Sequence, residues 1–155
     1  MDQTREPAVL DAHECWRLLG TVPLGRLAIP AAEGQSPDVF PINYRVHENC
    51  IVFRTAAGAK YAAVTSNAAV TLEADSVNSE TGMAWSVVAK GRASETSLHD
   101  SVANAADRLL FAWEPGSKEH IVRIDVDTIT GRQFKIQRPD ASGLSLDESV
   151  RAGLE

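Results

Sequence analysis

The chain has 155 residues, of which 44% are hydrophobic, and this length and composition suit one domain with a substantial core. Its 15 basic and 21 acidic residues give a net charge of −6, which disfavours a nucleic-acid-binding protein because such proteins usually carry a basic face. No segment is long and apolar enough to cross a membrane, and residues 1–7 lack the features of a signal peptide, so we expect a cytoplasmic protein with no membrane partner.

The N-terminal part is predicted to contain a flexible lead-in, residues 1–9, and one short helix. Asp11 followed by Glu14 is typical of a helix N-cap with an acidic residue three positions later, and Gly20 can end the helix. One face of this helix is apolar, and Trp16 lies on it at the helical spacing. We therefore interpret Trp16 as a packing residue.

From residue 24 onwards apolar and polar residues alternate, which predicts β-strands. The predicted strands cover residues 24–30, 38–46, 50–55, 69–75, 83–93 and 120–126, and the last pattern allows an extension to 132. A short helix is predicted over 58–66 and an amphipathic helix over 98–110, while 138–155 is predicted to be a polar tail. Six strands with few helices predict a mainly β domain over 10–137, an antiparallel barrel with α additions.

The stretch from Val52 to Lys60 is a candidate anion site. A strand ends there in Arg54 and Thr55, small residues follow, and Lys60 opens a helical pattern. Such a place combines two cations, a hydroxyl and free backbone amides, which suits a phosphate. The alternative is that both cations are ordinary surface charges, because neither GxxxxGK[ST] nor GxGxxG is present.

Other chemistry is not indicated by the sequence. Cys15 and Cys50 are interpreted as reduced, buried residues, and the four histidines lack metal-ligand spacing. No Ser-His-Asp, Cys-His or paired-carboxylate pattern supports a catalytic residue, so we assign neither a metal site nor a catalytic side chain.

Several segments in order resemble one known family. They are Gly25-Arg26-Leu27-Ala28-Ile29, Pro41-Ile42-Asn43-Tyr44, Ile51-Val52-Phe53-Arg54-Thr55 with Gly58-Ala59-Lys60, and the run from Gly82 to Ala93. Together they are similar to the pyridoxamine 5′-phosphate oxidase-like proteins, in particular their small actinobacterial-type members, over residues 10–134. The resemblance implies a six-stranded antiparallel split β-barrel of the FMN-binding type with short peripheral helices.

The resemblance also implies a cofactor site, in which FMN lies in a groove between the two subunits of a homodimer. Its phosphate would contact Arg54, Thr55, Ala59 and Lys60, and its ring would lie along the backbone of Ile42, Asn43 and Tyr44. Trp85 and Ser86 would reach the flavin from the second protomer, and Gly131-Arg132 is a weaker match. Alternatives stay open for three of these residues. Tyr44 and Trp85 could be core or dimer-contact aromatics, and Asn43 could satisfy a strand bulge.

The implied function is an FMN-dependent oxidoreductase that passes a hydride from NADH or NADPH to a small organic acceptor such as a nitro compound, a quinone or a free flavin. An F420-dependent reductase is the first alternative. A flavin- or haem-binding carrier or sensor without turnover is the second, and a structural homodimer with an empty groove is the third. Oxidation of vitamin B6 is not expected, because the chain lacks the C-terminal arginine- and histidine-containing segment.

Overall fold

The computed structural model describes residues 7–56, 58, 61–62, 64, 66–96 and 120–136. Within these ranges one helix of eight residues, α1, accompanies seven strands. The helix is Ala12–Leu19, and the strands are β1 Ala8–Leu10, β2 Leu24–Ile29, β3 Asp38–His47, β4 Cys50–Thr55, β5 Ala69–Val77, β6 Met83–Thr96 and β7 His120–Lys135.

The helix α1 forms where the capping pattern predicts it. Asp11 is its N-cap, and the Asp11 Oδ1 atom accepts a hydrogen bond of 2.8 Å from the Glu14 backbone amide. Cys15 and Leu19 are buried, and Trp16 packs against the core beside them. The prediction of Trp16 as a packing residue is therefore confirmed.

Six of the strands, β2 to β7, form a closed antiparallel barrel. The strands pair in the order β7-β4-β3-β2-β5-β6, and β6 pairs again with β7 to complete the ring. The predicted mainly β architecture, a six-stranded antiparallel barrel, is confirmed.

Strand β1 is an addition that the sequence analysis did not predict. Its three residues pair with Gly131 to Gln133 of β7. Three residues are too few to show an alternating pattern, so β1 depends on the partner that β7 supplies. β7 is also longer than predicted, because it keeps pairing with β6 as far as Lys135.

The long β6–β7 ladder contains one irregularity, a shift of register between Lys90 and Gly91. A Cβ atom at Gly91 would lie 2.0 Å from the backbone oxygen of Asp125. Glycine is therefore required for the close approach of the two strands at this bulge.

The core fills the barrel and the space beneath α1. Cys15 and Cys50 are buried, neither takes part in a disulfide, and burial raises the pKa of both thiols. Of the predicted helix over 58–66, the described residues Tyr61, Ala62 and Val64 are helical, and Val64 belongs to the core. The predicted helix over 98–110 and the tail over 138–155 lie outside the described residues. No helix in the described ranges has the length and hydropathy needed to cross a membrane.

Candidate functional site

The predicted flavin site lies where β3 and β4 part. β3 pairs with β2 from Asp38 to Asn43, and its ladder with β4 runs from His47 back to Tyr44, opposite Phe53. Beyond that pair Arg54 and Thr55 are aligned with Ile121 and His120 of β7. Between Asn43 and Arg54 the wall of the barrel is therefore no longer held by a continuous ladder.

The alternation of side chains divides the predicted cofactor residues between two faces. Ile42, Tyr44 and Thr55 face inward and are buried, with exposed fractions of 4%, 1% and 2%. Asn43 and Arg54 point to the opposite, outer face and are half-buried. Asn43 and Arg54 can thus offer side chains to a ligand in the parted region, whereas the other three can offer backbone groups.

Tyr44 has a structural role in this fold. Its hydroxyl donates a hydrogen bond of 2.7 Å to the backbone oxygen of Leu19, at the end of α1. Burial raises the pKa of the phenol well above its ordinary value of 10.0. For this side chain the structure favours the packing alternative, while a backbone contact with the flavin stays a prediction.

Asn43 is oriented by an arginine that the sequence analysis did not place in the site. An Nη1 atom of Arg45 donates 3.1 Å to Asn43 Oδ1 and 2.9 Å to the backbone oxygen of Tyr44. The carboxamide oxygen of Asn43 is thereby engaged, so its NH₂ group is the donor it can present to a ligand. Arg45 could have been found from its position, since it shares the outer face of β3 with Asn43.

The proposed phosphate-binding end of β4 is only partly described. The Nε atom of Arg54 is buried, and the Thr55 hydroxyl donates 3.1 Å to the backbone oxygen of Ala56. A hydrogen bond from Thr55 to a phosphate would require the hydroxyl to give up that partner. A Cβ atom at Gly58 would meet no atom of the described residues within 4 Å, so none of these residues would block a ligand there. Ala59 and Lys60 lie outside the described residues, and their roles stay predictions.

Trp85 and Ser86 lie elsewhere on the chain, near the start of β6. They pair with Gln133 and Arg132 at the end of β7, whereas Arg54 pairs with Ile121 near its start. Trp85 packs against the core and lines a cavity of about 570 Å³, together with Ser76, Met83 and Gln133. Among the described residues that line this cavity, none is charged.

The structure contains a polar cluster beside Thr55 that the sequence analysis did not predict. Glu95 Oε1 lies 2.8 Å from His120 Nδ1, and the Tyr61 hydroxyl donates 3.2 Å to Glu95 Oε2. The rings of Tyr61 and His120 stack with centroids 3.9 Å apart. We call these three residues the clamp. The His120 hydrogen bond is the largest cause that lowers the pKa of Glu95, and the bond to Glu95 raises the pKa of Tyr61.

The six strands form a closed antiparallel barrel, and the ladder between β3 and β4 ends at the pair Tyr44 and Phe53. This architecture agrees with a split-barrel protein. The family model described as pyridoxamine 5′-phosphate oxidase matches residues 11–133. The chain therefore belongs to the pyridoxamine 5′-phosphate oxidase-like family, as its motifs predict.

Individual relatives agree with this assignment. An uncharacterized protein of Mycobacterium tuberculosis, Rv0080, is 33% identical over 82% of this chain and 85% of its own length. A Corynebacterium glutamicum structure, described as a candidate pyridoxamine 5′-phosphate oxidase, is 33% identical with a TM-score of 0.69, over 89% of this chain and 99% of that one. The FAD-binding protein from Mycobacterium smegmatis is 31% identical with a TM-score of 0.63, over 84% of this chain and 100% of that one.

Proposed function

We propose that this protein is a flavin-dependent oxidoreductase that binds FMN where β3 and β4 part and passes a hydride to a small organic acceptor. The observation that carries the proposal is the half-buried Arg54 beside the open wall, next to the clear space at Gly58. The 31% identical FAD-binding relative supports a flavin as the ligand. FMN and FAD share the phosphate next to the ribityl chain, which is the group that Arg54 would bind.

Each described residue has a role in this proposal that follows from its position. Arg54 binds the phosphate, because a guanidinium matches two phosphate oxygens. Asn43, oriented by Arg45, donates to the polar edge of the ring, and the backbone of β3 supports the ring. A bound flavin supplies the hydride chemistry, so the side chains have to bind, orient and exclude water.

We also propose a homodimer, because one chain does not assemble the predicted site. Arg54 and Trp85 lie beside opposite ends of β7, so a groove containing both is best completed by the Trp85 of a second copy. Large apolar side chains on the surface support an interface: Val39 is 59% exposed, and Leu24 and Val77 are each 52% exposed. Light scattering at micromolar concentration should give twice the mass of 16.7 kDa, and a monomer would contradict the proposal.

The first experiment is the absorbance spectrum of the purified protein, followed by chromatography of the cofactor released on denaturation. We expect a flavin spectrum, FMN as the released compound, and bleaching by NADH or NADPH. Release of FAD would correct the cofactor and keep the site. Binding of F420 in place of a flavin, or a Soret band, would overturn the proposal, and flavin that neither nicotinamide reduces would indicate a carrier or sensor.

The second experiment tests Arg54 itself. A charge-assisted hydrogen bond contributes about 1.5–3 kcal/mol, so Arg54→Ala should weaken FMN binding by about 10- to 150-fold. Riboflavin, which lacks the phosphate, should bind the variant and the wild type alike. Arg17→Ala is the matched control, because Arg17 is an arginine on α1 that is paired with Glu14. Full FMN affinity in Arg54→Ala would show that the phosphate lies elsewhere.

A further inference from the structure

The clamp lies beside the proposed phosphate-binding end of β4, Arg54 and Thr55. The backbone of His120 is aligned with Thr55 in the β4–β7 ladder. The ring of His120 stacks on Tyr61 at 3.9 Å with an interplanar angle of 23°. Thr55 follows Arg54 and Tyr61 follows Lys60 in the sequence, so both predicted cations adjoin a residue held by His120.

Glu95 fixes the orientation of this histidine from the other side. One carboxylate oxygen receives the His120 Nδ1 hydrogen bond, and the other receives the Tyr61 hydroxyl. An imidazole whose Nδ1–H is held by a carboxylate has a defined tautomer and ring orientation. The clamp therefore joins β6, β7 and the helical residue Tyr61 at one end of the barrel, where β7 pairs with the end of β4.

We propose that Tyr61, Glu95 and His120 are positioning residues that hold the proposed phosphate-binding end of β4, Arg54 and Thr55, in place before the cofactor arrives. This inference rests on the proposed function, since it assigns the clamp to the same site. The physical reason is preorganisation: side chains that are already held in position lose less conformational entropy on binding an anion. A second reason is geometric, because Val64, three residues beyond Tyr61, is buried in the core. In the sequence Tyr61 therefore lies between Thr55, which is aligned with His120, and the buried Val64.

A purely stabilising cluster is the competing explanation, and it makes a different forecast. Exposed polar pairs contribute about 0–1 kcal/mol to stability. A cluster that acts through stability alone would change the affinities for FMN and riboflavin together. A cluster that positions the phosphate-binding end of β4 would change the affinity for FMN and leave the affinity for riboflavin almost unchanged. The ratio of the riboflavin and FMN dissociation constants therefore separates the two roles.

The experiment measures both dissociation constants by flavin fluorescence, with the full 155-residue chain after removal of bound flavin. We expect Tyr61→Ala and His120→Ala to lower the riboflavin-to-FMN ratio about 5- to 10-fold, the scale of ordering one or two side chains. Tyr61→Phe keeps the stacked ring and loses the bond to Glu95, so its ratio should lie between wild type and Tyr61→Ala. Glu14→Gln changes a carboxylate paired with Arg17 on α1 and is the matched control.

The outcomes are distinguishable. If the wild type binds FMN no better than riboflavin, the proposed phosphate site is wrong and the clamp inference fails with it. If the wild type discriminates but Tyr61→Ala and His120→Ala keep the wild-type ratio, the clamp inference is overturned while the proposed function stands. Thermal unfolding identifies a variant that has lost its fold. In that case Tyr61→Phe and Glu95→Gln, which keep the size of each side chain, decide the question, and wild-type ratios in both would overturn the inference.

Discussion

The two ends of the β6–β7 ladder are built from different chemistry. At the end near Thr96 and His120 the clamp joins a carboxylate, an imidazole and a phenol. At the end near Met83 and Lys135, Trp85 lines a cavity of about 570 Å³ whose described lining carries no charge. One barrel therefore presents an ionisable cluster at one end, called the ionisable end, and an uncharged cavity lining at the other.

In the proposed homodimer, the Arg54 end of one copy and the Trp85 end of the other would together serve a ligand that is anionic at one end and aromatic at the other. The ionisable end lies beside Arg54, which suits a phosphate, while the indole of Trp85 suits a flat apolar group. Because the two ends belong to one rigid ladder, a change in the ladder should affect both, whereas a change at one end should leave the other intact.

Gly91→Ala should have the largest effect, because it would disturb both ends at once. The new Cβ atom would lie 2.0 Å from the Asp125 backbone oxygen, and both atoms belong to paired strands that cannot move apart cheaply. We expect a loss of about 3 kcal/mol or more in the free energy of unfolding. Urea unfolding measures it, with Gly20→Ala as the control, because Gly20 is exposed and has a φ of −71° that alanine adopts without strain. A loss below about 1 kcal/mol would show that the bulge adapts.

Tyr44→Phe should have a smaller effect, confined to stability. The substitution removes the hydroxyl that donates to Leu19 and leaves a buried carbonyl without that donor, which costs about 1–3 kcal/mol. FMN affinity should stay within about twofold of wild type, because the side chain lies in the core. Urea unfolding and flavin titration measure the two quantities. A large loss of affinity with intact stability would place the hydroxyl in the flavin site.

Acidification should produce the smallest effect, at the ionisable end alone. The pKa of Glu95 is lowered below its ordinary 4.5, so its stabilising contribution is complete above that value and is lost as the pH falls through the lowered pKa. Below about pH 4.5 the clamp should loosen, and Tyr61 should become more accessible to solvent. Hydroxyl-radical labelling of Tyr61, followed by peptide mass spectrometry between pH 6 and pH 3.5, reports this exposure. Glu95→Gln should flatten the profile, and an unchanged profile in that variant would contradict the role of the carboxylate.

Strands β2, β3 and β5 were predictable because burial alternates along them, whereas Cys50 to Phe53 of β4 are all buried. Leu27, Ile42, Tyr44 and Leu72 have their side chains in the core, and alternation alone identifies such residues. β1 was not predictable, since its three residues owe their conformation to Gly131–Gln133 more than 120 positions away.

The candidate site was predictable in part for the same reason. Arg54 and Thr55 mark the end of a strand, which sequence shows directly. The clamp joins Tyr61 to Glu95 across 34 positions and Glu95 to His120 across 25, and no local pattern reports such contacts. Arg45 could have been predicted as a neighbour of Asn43, because it lies two residues away on the same face of β3.

β7 is the last strand in the part of the sequence that the structure describes, and this order bears on events during synthesis. β7 pairs with β1, β4 and β6, so three strands made earlier gain this partner only when β7 has been made. Until residues 120–135 have left the ribosome, the edges of β4 and β6 have no partner, and they offer a nascent chain the chance of pairing with a neighbour. Contacts that join such distant positions form slowly. Closure of the ring is therefore expected to be the final and rate-limiting event in the maturation of this polypeptide.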